Sequence, residues 1–417
     1  MQPENRTVID SRVEAVTMDY AMGTLPPSQL TQTLQPKETI SHGATRINSW
    51  NEWDPLKHVI VGRADGAVVQ APELAVQRDW PEQGFPRGSY GPIPQHMVDA
   101  ANDQLDNLAG ILQKRGVRVD RPAPLDFSQT VMTPDWVQES MFGCMPPRDV
   151  LLIIGNEILE ATMSFRSRWF EYLCYRPLIE HYFQDDRDMK WEAAPKPRLT
   201  EKSYKPGFWE EYKSLSLDER MNKVRQNDLL LTEAEPLFDA ADISRFGKDL
   251  FVQLSMVTNR SGVRWLRKHF PDHRIHEVIF DEDGPFHIDA TWVPLRPGLV
   301  LHNGERTASP ELIKFFHKND WDVVEGAQPV RSKENLPPLC FCSQWLSMNM
   351  LSLDPNTVFV EQTETAQMDL LDQLGFEVIP VPFWDVAPFG GGLHCSTLDL
   401  LREGSLEDYF PARCGIF

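Results

Sequence analysis

The chain has 417 residues, of which 41% are hydrophobic, so it can form two or three average domains or one large core. Its formal net charge of −20 disfavours nucleic acid and anionic membranes as partners, because phosphate recognition needs clustered lysine and arginine. No apolar run reaches the roughly 18–20 residues that span a bilayer, which predicts a soluble cytoplasmic protein.

Residues 1–46 are polar and show no periodicity, which predicts a flexible N-terminal arm. Their acidic residues argue against a transit peptide, since such peptides are poor in acidic side chains. We predict that residues 47–417 form a single domain. The six cysteines make no CxxC pair and no zinc pattern, so reduced thiols and no metal site are expected.

A repeated order of elements follows the arm. A strand-like run precedes a helix with apolar residues at i, i+3, i+4 and i+7, then a turn and a β-branched strand, and this unit recurs five times. Gly116 and Gly375 stand where a helix end needs a left-handed residue. The repeat fits a radial array around one axis, but a doubly wound sheet shows the same alternation and is the commoner explanation of the pattern alone. The strand-like runs are 58–64, 149–161, 249–259, 298–306 and 357–365, and the helix–turn–strand units are 105–122, 176–195, 263–280, 312–326 and 368–383.

The segment FGGGLHCSTLDL, which starts at residue 389, carries a candidate nucleophile. Three consecutive glycines allow its backbone to approach a ligand closely, and Cys395 follows them. A thiolate is a strong nucleophile once a base or a lowered pKa activates it, although a buried structural cysteine is the ordinary alternative. We do not choose the adjacent His394 as the base, because neighbouring side chains of an extended segment point to opposite faces.

Two further segments supply acid–base groups. In the HIDAT segment, His287 and Asp289 are two residues apart and would face the same way on a strand. In the FDAAD segment, Asp239 and Asp242 are set among small residues, and Asp242 can orient a histidine and stabilise its protonated form. Taken alone, the first segment would be a surface strand with alternating polarity, and the second a helix cap or Asx turn.

Together these segments resemble the glycine amidinotransferase family, from about residue 47 to 411. The resembling stretches include SWNEWDPL, PRDVLLIIGNEILEATMSFRSRWFEY, the FDAAD and HIDAT segments, SQWLSMN and GLHCSTLD. The resemblance implies an α/β fold of the pentein type, a five-bladed propeller of ββαβ modules with pseudo-fivefold symmetry. It therefore favours the radial array over the doubly wound sheet.

The resemblance also implies a mechanism with three catalytic side chains. Cys395 would attack the guanidinium carbon of L-arginine, and His287, held by Asp242, would protonate the departing ornithine. An acceptor amine, deprotonated by His287, would then attack the amidino-cysteine, so the ping-pong reaction needs no cofactor or metal. Because water must be kept from the intermediate, the bulky segment 382–392 is a candidate lid or wall.

Four more residues would bind the substrate. Asp149 and Asp289 would grip the guanidinium nitrogens, since carboxylates match that planar fork. Arg306 lies where the family has an arginine for the α-carboxylate of the donor, and Ser343 matches a serine that contacts the substrate. The sequence departs from the family at Cys342, which replaces the first of two paired serines.

The acceptor is left open by the resemblance. Glycine is the commonest acceptor of the family, but other members use lysine or aminocyclitols, and several act in toxin or antibiotic pathways. Secondary-metabolite synthesis is therefore one expected context, and a homodimer is a further expectation because members are often dimers. Two alternatives remain: a guanidine-modifying hydrolase of the same superfamily, such as an arginine deiminase, and a non-catalytic binding protein of this fold.

Overall fold

Sheets of three strands with one common order of elements recur along the chain. The computed structural model describes residues 45–76 and 90–412, and nearly all of the predicted N-terminal arm lies outside the described residues. Within them there are five such sheets. In each, two strands pair antiparallel, a helix follows, and a third strand pairs parallel with the second. The fold is therefore mixed α/β, and the predicted fivefold recurrence of strand, helix and strand is confirmed.

Four of the sheets are each built from one continuous stretch of chain. Each keeps the order strand, strand, helix, strand, so the third strand crosses over a helix to pair in parallel, as such a connection requires. The elements are Leu151–Ile154, Glu157–Glu160, helix Arg176–Asp185 and Lys190–Ala193; Ile243–Phe246, Asp249–Gln253, helix Arg260–His269 and Arg274–Val278; Trp292–Arg296, Leu299–His302, helix Pro310–Lys318 and Asp322–Glu325; and Leu351–Asp354, Thr357–Glu361, helix Thr365–Gln373 and Glu377–Val381.

The fifth sheet joins the two ends of the described chain. Strand Thr397–Arg402 pairs antiparallel with strand Leu56–Val61, although about 340 residues lie between them in the sequence. Helix Gln95–Lys114 and strand Arg118–Asp120, which pairs parallel with Leu56–Val61, complete the same order. Because Cys395 lies just before strand Thr397–Arg402, the pairing of that strand with Leu56–Val61 fixes the position of the candidate nucleophile.

Local sequence sets where the helices begin and end. Asn259 and Ser309 cap two helix starts, since each side chain accepts a hydrogen bond from the backbone N–H three residues on. Gly116 and Gly375 have φ of 84° and 85°, so the predicted left-handed helix ends are confirmed. The apolar face of helix Gln95–Lys114 is buried, as its periodicity predicts.

Two segments near Cys395 differ from their predicted extended form. The HIDAT segment is no strand: His287 has φ of 52°, a backbone that strands do not adopt, and Ile288–Ala290 forms a 3₁₀ turn. The residues around His394 form a turn in which the N–H of Ser396 bonds to the carbonyl of Gly392 at 3.0 Å. In this turn, the alternation of an extended segment does not apply to His394.

Shorter elements connect the sheets. Across the described ranges, no helix is long and apolar enough to cross a membrane. The remaining helices are Pro147–Val150, Phe208–Ser214 and Leu217–Arg225; the paired short strands are Val68–Val69 with Gly91–Pro92, Val131–Met132 with Val137–Gln138, and Phe280–Asp281 with Thr307–Ala308; and the other 3₁₀ turns are Arg166–Arg168, Glu171–Cys174, Glu201–Ser203, Ala240–Asp242, Lys333–Asn335, Gln344–Met348 and Ala387–Phe389.

Candidate active site

Cys395 lies in a buried turn that leads into strand Thr397–Arg402. Its side chain is 3% exposed, and its sulfur lies 3.2 Å from the Asp289 carboxylate and 3.2 Å from the Asn349 amide nitrogen. Gly391 has φ of 152°, and a Cβ at that position would overlap the cysteine side chain. The absence of a side chain at Gly391 therefore allows the glycine backbone to lie close to the side chain of Cys395.

The surroundings of the thiol favour its neutral form. Burial raises the pKa of the Cys395 thiol well above its ordinary value, and the negative charges of Asp289 and Asp149 raise it further. A cation placed beside the sulfur and these carboxylates would oppose that effect, because it would stabilise the thiolate. The charge of the site therefore suits a cationic electrophile.

His394 holds the carboxylate that faces the nucleophile. Its Nδ1 lies 2.9 Å from Asp289, and its Nε2 lies 3.3 Å from Glu52. Burial raises the pKa of Asp289, but the hydrogen bond and the charge of His394 outweigh burial and lower it to about 2. The extended form predicted for this segment points His394 away from the nucleophile, whereas the structure places it in the site as the partner of a carboxylate.

His287 lies among carboxylates. Its Nε2 is 3.4 Å from Asp239 and its Nδ1 is 3.7 Å from Asp149. Burial lowers the pKa of His287, but the charges of Asp149, Asp239 and Asp242 outweigh burial and raise it to about 10. The imidazole is therefore protonated at neutral pH, which suits a proton donor.

The carboxylate that contacts His287 from the FDAAD segment is Asp239. Asp242 is fully buried and accepts hydrogen bonds from the hydroxyls of Ser255 and Thr258, both at 2.6 Å. Among the hydrogen bonds and ion pairs of the described residues, none joins Asp242 to His287. Burial raises the pKa of Asp242 to about 7, although the charge of His287 and the two hydroxyls act against it. The predicted hold of Asp242 on His287 is thus not a direct contact.

Asp149 stands in the short helix Pro147–Val150 beside a buried arginine. The guanidinium of Arg168 donates to one carboxylate oxygen at 2.8 Å. The other oxygen faces His287 and has no hydrogen-bond partner among the described residues. Burial raises the pKa of Asp149. An oxygen that is buried without a hydrogen-bond donor is suited to a substrate that brings N–H groups.

Arg306 and Ser343 are bonded to protein groups away from the nucleophile. Arg306 forms an ion pair with Glu282, with its Nε 2.8 Å from a carboxylate oxygen, and donates from Nη1 to the hydroxyl of Thr291 at 2.8 Å. The Ser343 hydroxyl accepts from the backbone N–H of Trp345 at 3.1 Å. In the described ranges no hydrogen bond or ion pair joins either side chain to Cys395, and their substrate-binding roles stay predictions.

The segment 382–392 is packed into the core. Phe383, Trp384 and Phe389 are 2%, 6% and 1% exposed. Opening this segment would expose three large apolar side chains to water, at a cost of roughly 1.5–3 kcal/mol for each. Its packing therefore favours the predicted wall over the predicted lid.

Comparison with curated proteins identifies the family. No protein-family model matches the chain. A mitochondrial glycine amidinotransferase from Gallus gallus is 41% identical over 368 residues, which cover 87% of this chain and 85% of that protein. The chain belongs to the glycine amidinotransferase family. An L-arginine:L-lysine amidinotransferase from Pseudomonas savastanoi pv. phaseolicola is 39% identical over 368 residues, which cover 87% of this chain and 96% of that protein.

Solved structures of amidinotransferases share the fold. An amidinotransferase of the saxitoxin pathway of Microseira wollei matches with a TM-score of 0.77 at 37% identity, covering 88% of this chain and 100% of that one. The inosamine-phosphate amidinotransferase of Streptomyces griseus matches with a TM-score of 0.74 at 34% identity, with the same coverage of 88% and 100%. These neighbours have the pentein fold, so the predicted fold class is confirmed at that level.

Family membership confirms the predicted kind of enzyme, a transferase of the amidinotransferase class. The roles of individual side chains remain predictions. Three buried residues of the site, Glu52, Arg168 and Asn349, were not singled out from the sequence. Each lies within a stretch that resembles the family, namely SWNEWDPL, SFRSRWFEY and SQWLSMN, and that resemblance was the available signal.

Proposed function

We propose that this amidinotransferase moves the amidino group of L-arginine to a primary amine and releases L-ornithine, through a covalent intermediate on Cys395. The observation that carries the proposal is the thiol that lies 3.2 Å from the carboxylate of Asp289. A neutral or anionic electrophile would leave this negative charge facing the forming thiolate, whereas a guanidinium offsets it. A curated relative named for L-arginine supports the same donor.

The first half of the reaction forms a carbon–sulfur bond. As the guanidinium binds between Asp149 and Asp289, the thiol of Cys395 loses its proton to solvent, and the thiolate attacks the guanidinium carbon. The bond from that carbon to the ornithine nitrogen breaks while His287 gives its proton to the leaving nitrogen. Ornithine departs as a neutral amine, and a cationic amidino group remains on sulfur.

The second half reverses these events with another amine. The acceptor nitrogen attacks the amidino carbon, the carbon–sulfur bond breaks, and His287 takes a proton from the acceptor. The thiolate of Cys395 is regenerated and the imidazole is protonated again. Apart from the thiol proton that solvent takes when arginine binds, protein groups and the two substrates account for every proton and electron pair, and the proposal requires no cofactor or metal.

The geometry supports Asp239 as the carboxylate that orients His287. It lies 3.4 Å from the imidazole, whereas Asp242 is bonded to two hydroxyls. A carboxylate in contact with the ring fixes its orientation and stabilises the imidazolium. In this proposal Asp242 acts on the histidine through its charge, in place of the direct hold that the sequence predicted.

We propose that Arg306 binds the α-carboxylate of arginine, and Arg306→Gln tests this. The variant is expected to raise KM for arginine about 10- to 100-fold, the scale of a lost charge-assisted hydrogen bond, with a smaller change in kcat. Steady-state kinetics with agmatine, which lacks the carboxylate, provide the matched control. Agmatine should be used equally well by the variant and the wild type. An equal loss with both donors would contradict the assignment.

We propose glycine as the acceptor, supported by the relatives named glycine amidinotransferase. The ring of Phe286 is 39% exposed and lies 4.2 Å from the His287 imidazole, so we place the acceptor beside it. The test is incubation with labelled arginine and glycine, lysine or an aminocyclitol, read by product mass. Glycine is expected to give labelled guanidinoacetate. Citrulline formed without acceptor would indicate the hydrolase, and binding without ornithine release a non-catalytic protein.

We infer that the five sheets are the blades of an α/β propeller with pseudo-fivefold symmetry. Their common ββαβ order supports this arrangement, as does the pairing of Thr397–Arg402 with Leu56–Val61, since a closed ring needs its two ends joined. Residues 47–417 would then be one catalytic domain. The cytoplasmic location, the homodimer and a place in secondary metabolism stay predictions.

A further inference from the structure

Asn349 contacts the nucleophile and its turn through both ends of its side-chain amide. The oxygen accepts from the backbone N–H groups of His394 at 3.0 Å and Cys395 at 3.1 Å. The nitrogen donates to the sulfur of Cys395 at 3.2 Å. The residue is 1% exposed, so these contacts are shielded from solvent. One residue thus bonds both to the turn and to the reacting atom.

The orientation of this amide follows from its partners. Two backbone N–H groups point at one end, and only the carbonyl oxygen of the amide can accept from both. The N–H₂ end must therefore face the sulfur. Gly392 leaves room for this arrangement, because a Cβ there would lie 2.8 Å from the Asn349 oxygen. The contact between the Asn349 amide and the Cys395 sulfur is therefore fixed by the packing of buried residues.

We propose that Asn349 is a positioning residue that stabilises the thiolate of Cys395 and holds its turn, an inference that rests on the proposed function of this site. Among the described residues, the titratable groups that interact electrostatically with Cys395 include Asp289, Asp149 and Cys342. The two carboxylates oppose the thiolate, while the backbone N–H of Gly392 favours it. The amide N–H of Asn349 is a further donor aimed at the sulfur, and such a bond strengthens as the sulfur becomes charged.

Two substitutions distinguish the loss of the hydrogen-bond donor to sulfur from the loss of the contacts that hold the turn. Asn349→Asp keeps an oxygen for the two backbone N–H groups but replaces the donor with a charge, whereas Asn349→Ala removes both contacts. The control is Asn319→Asp, because Asn319 is a buried amide that bonds to Phe315 and Ala412 away from the site. Thermal unfolding of all three reports any common loss of stability.

The decisive readout is the pH dependence of iodoacetamide alkylation at Cys395. Each Asn349 variant should move the midpoint upward by about one pH unit or more, because a hydrogen bond to a charged group is lost. Single-turnover formation of the amidino-enzyme at neutral pH should fall roughly 10- to 100-fold, by the same free-energy difference, with arginine affinity nearly unchanged. The Asn319 variant should keep the wild-type midpoint.

A wild-type midpoint and a wild-type single-turnover rate in both Asn349 variants would overturn the inference. Lower thermal stability with an unchanged midpoint would also overturn it, because that result describes a merely structural side chain. If the wild-type enzyme itself forms no amidino adduct, the proposed function fails. The alkylation comparison needs no substrate and still decides whether Asn349 stabilises the thiolate.

Discussion

Replacing Cys395 with alanine is expected to abolish ornithine release from arginine. Removal of a covalent nucleophile typically lowers kcat by a factor on the order of 10⁶, since the remaining groups bind substrate but cannot form the intermediate. The measurement is label release from arginine in the presence of an acceptor. In parallel, mass spectrometry of the wild type with arginine alone should show one amidino group on the peptide that contains Cys395.

The control for this variant is Cys340→Ser, which changes a partly exposed cysteine. It should keep both ornithine release and the adduct on Cys395. Retained ornithine release in the alanine variant would exclude Cys395 as the nucleophile. Loss of activity with an unfolded protein would be uninformative, so circular dichroism and thermal unfolding accompany the assay. Because the side chain is small and packed beside Gly391, alanine is the substitution that disturbs the turn least.

The repeat was predictable because each helix and strand is determined by local patterning. Apolar periodicity marks one face of each helix, and a glycine marks the end of two of the helices. The five units could therefore be predicted without knowing any contact between them. The arrangement of the five units could not be predicted from the pattern, since a doubly wound sheet shows the same alternation. The family resemblance supplied that choice, and the pairing of the first and last described strands is a contact that no local pattern encodes.

The candidate site was predictable in its residue types but not in its contacts. His287 and Asp239 are 48 residues apart, and His394 lies 105 residues from Asp289 and 342 from Glu52. Pairings at such separations depend on the packing of several modules. The HIDAT segment does not alternate with period two, because the left-handed backbone of His287 breaks the alternation that a strand would have.

Asp239→Asn is expected to lower kcat about 10²- to 10⁴-fold, the upper value being that of an analogous loss beside a catalytic histidine. The carboxylate lies 3.4 Å from the imidazole, so its replacement removes both the orientation of the ring and a charge that stabilises the imidazolium. Asp242→Asn keeps an oxygen for Ser255 and Thr258 and removes a carboxyl whose pKa is raised to about 7. We therefore expect this variant to lower kcat about tenfold or less. The two asparagine variants are matched controls for each other.

The pH profile separates these roles further. The pKa of His287 is raised to about 10 by the surrounding carboxylates, and ornithine departure needs the protonated ring. Loss of Asp239 lowers that pKa, so the proton donor is lost at a lower pH and the basic limb of the kcat profile should shift downward. The Asp242 variant should shift it less. If Asp242→Asn instead gives the larger loss and the larger shift, then Asp242 orients the histidine, and the 3.4 Å contact of Asp239 serves another purpose.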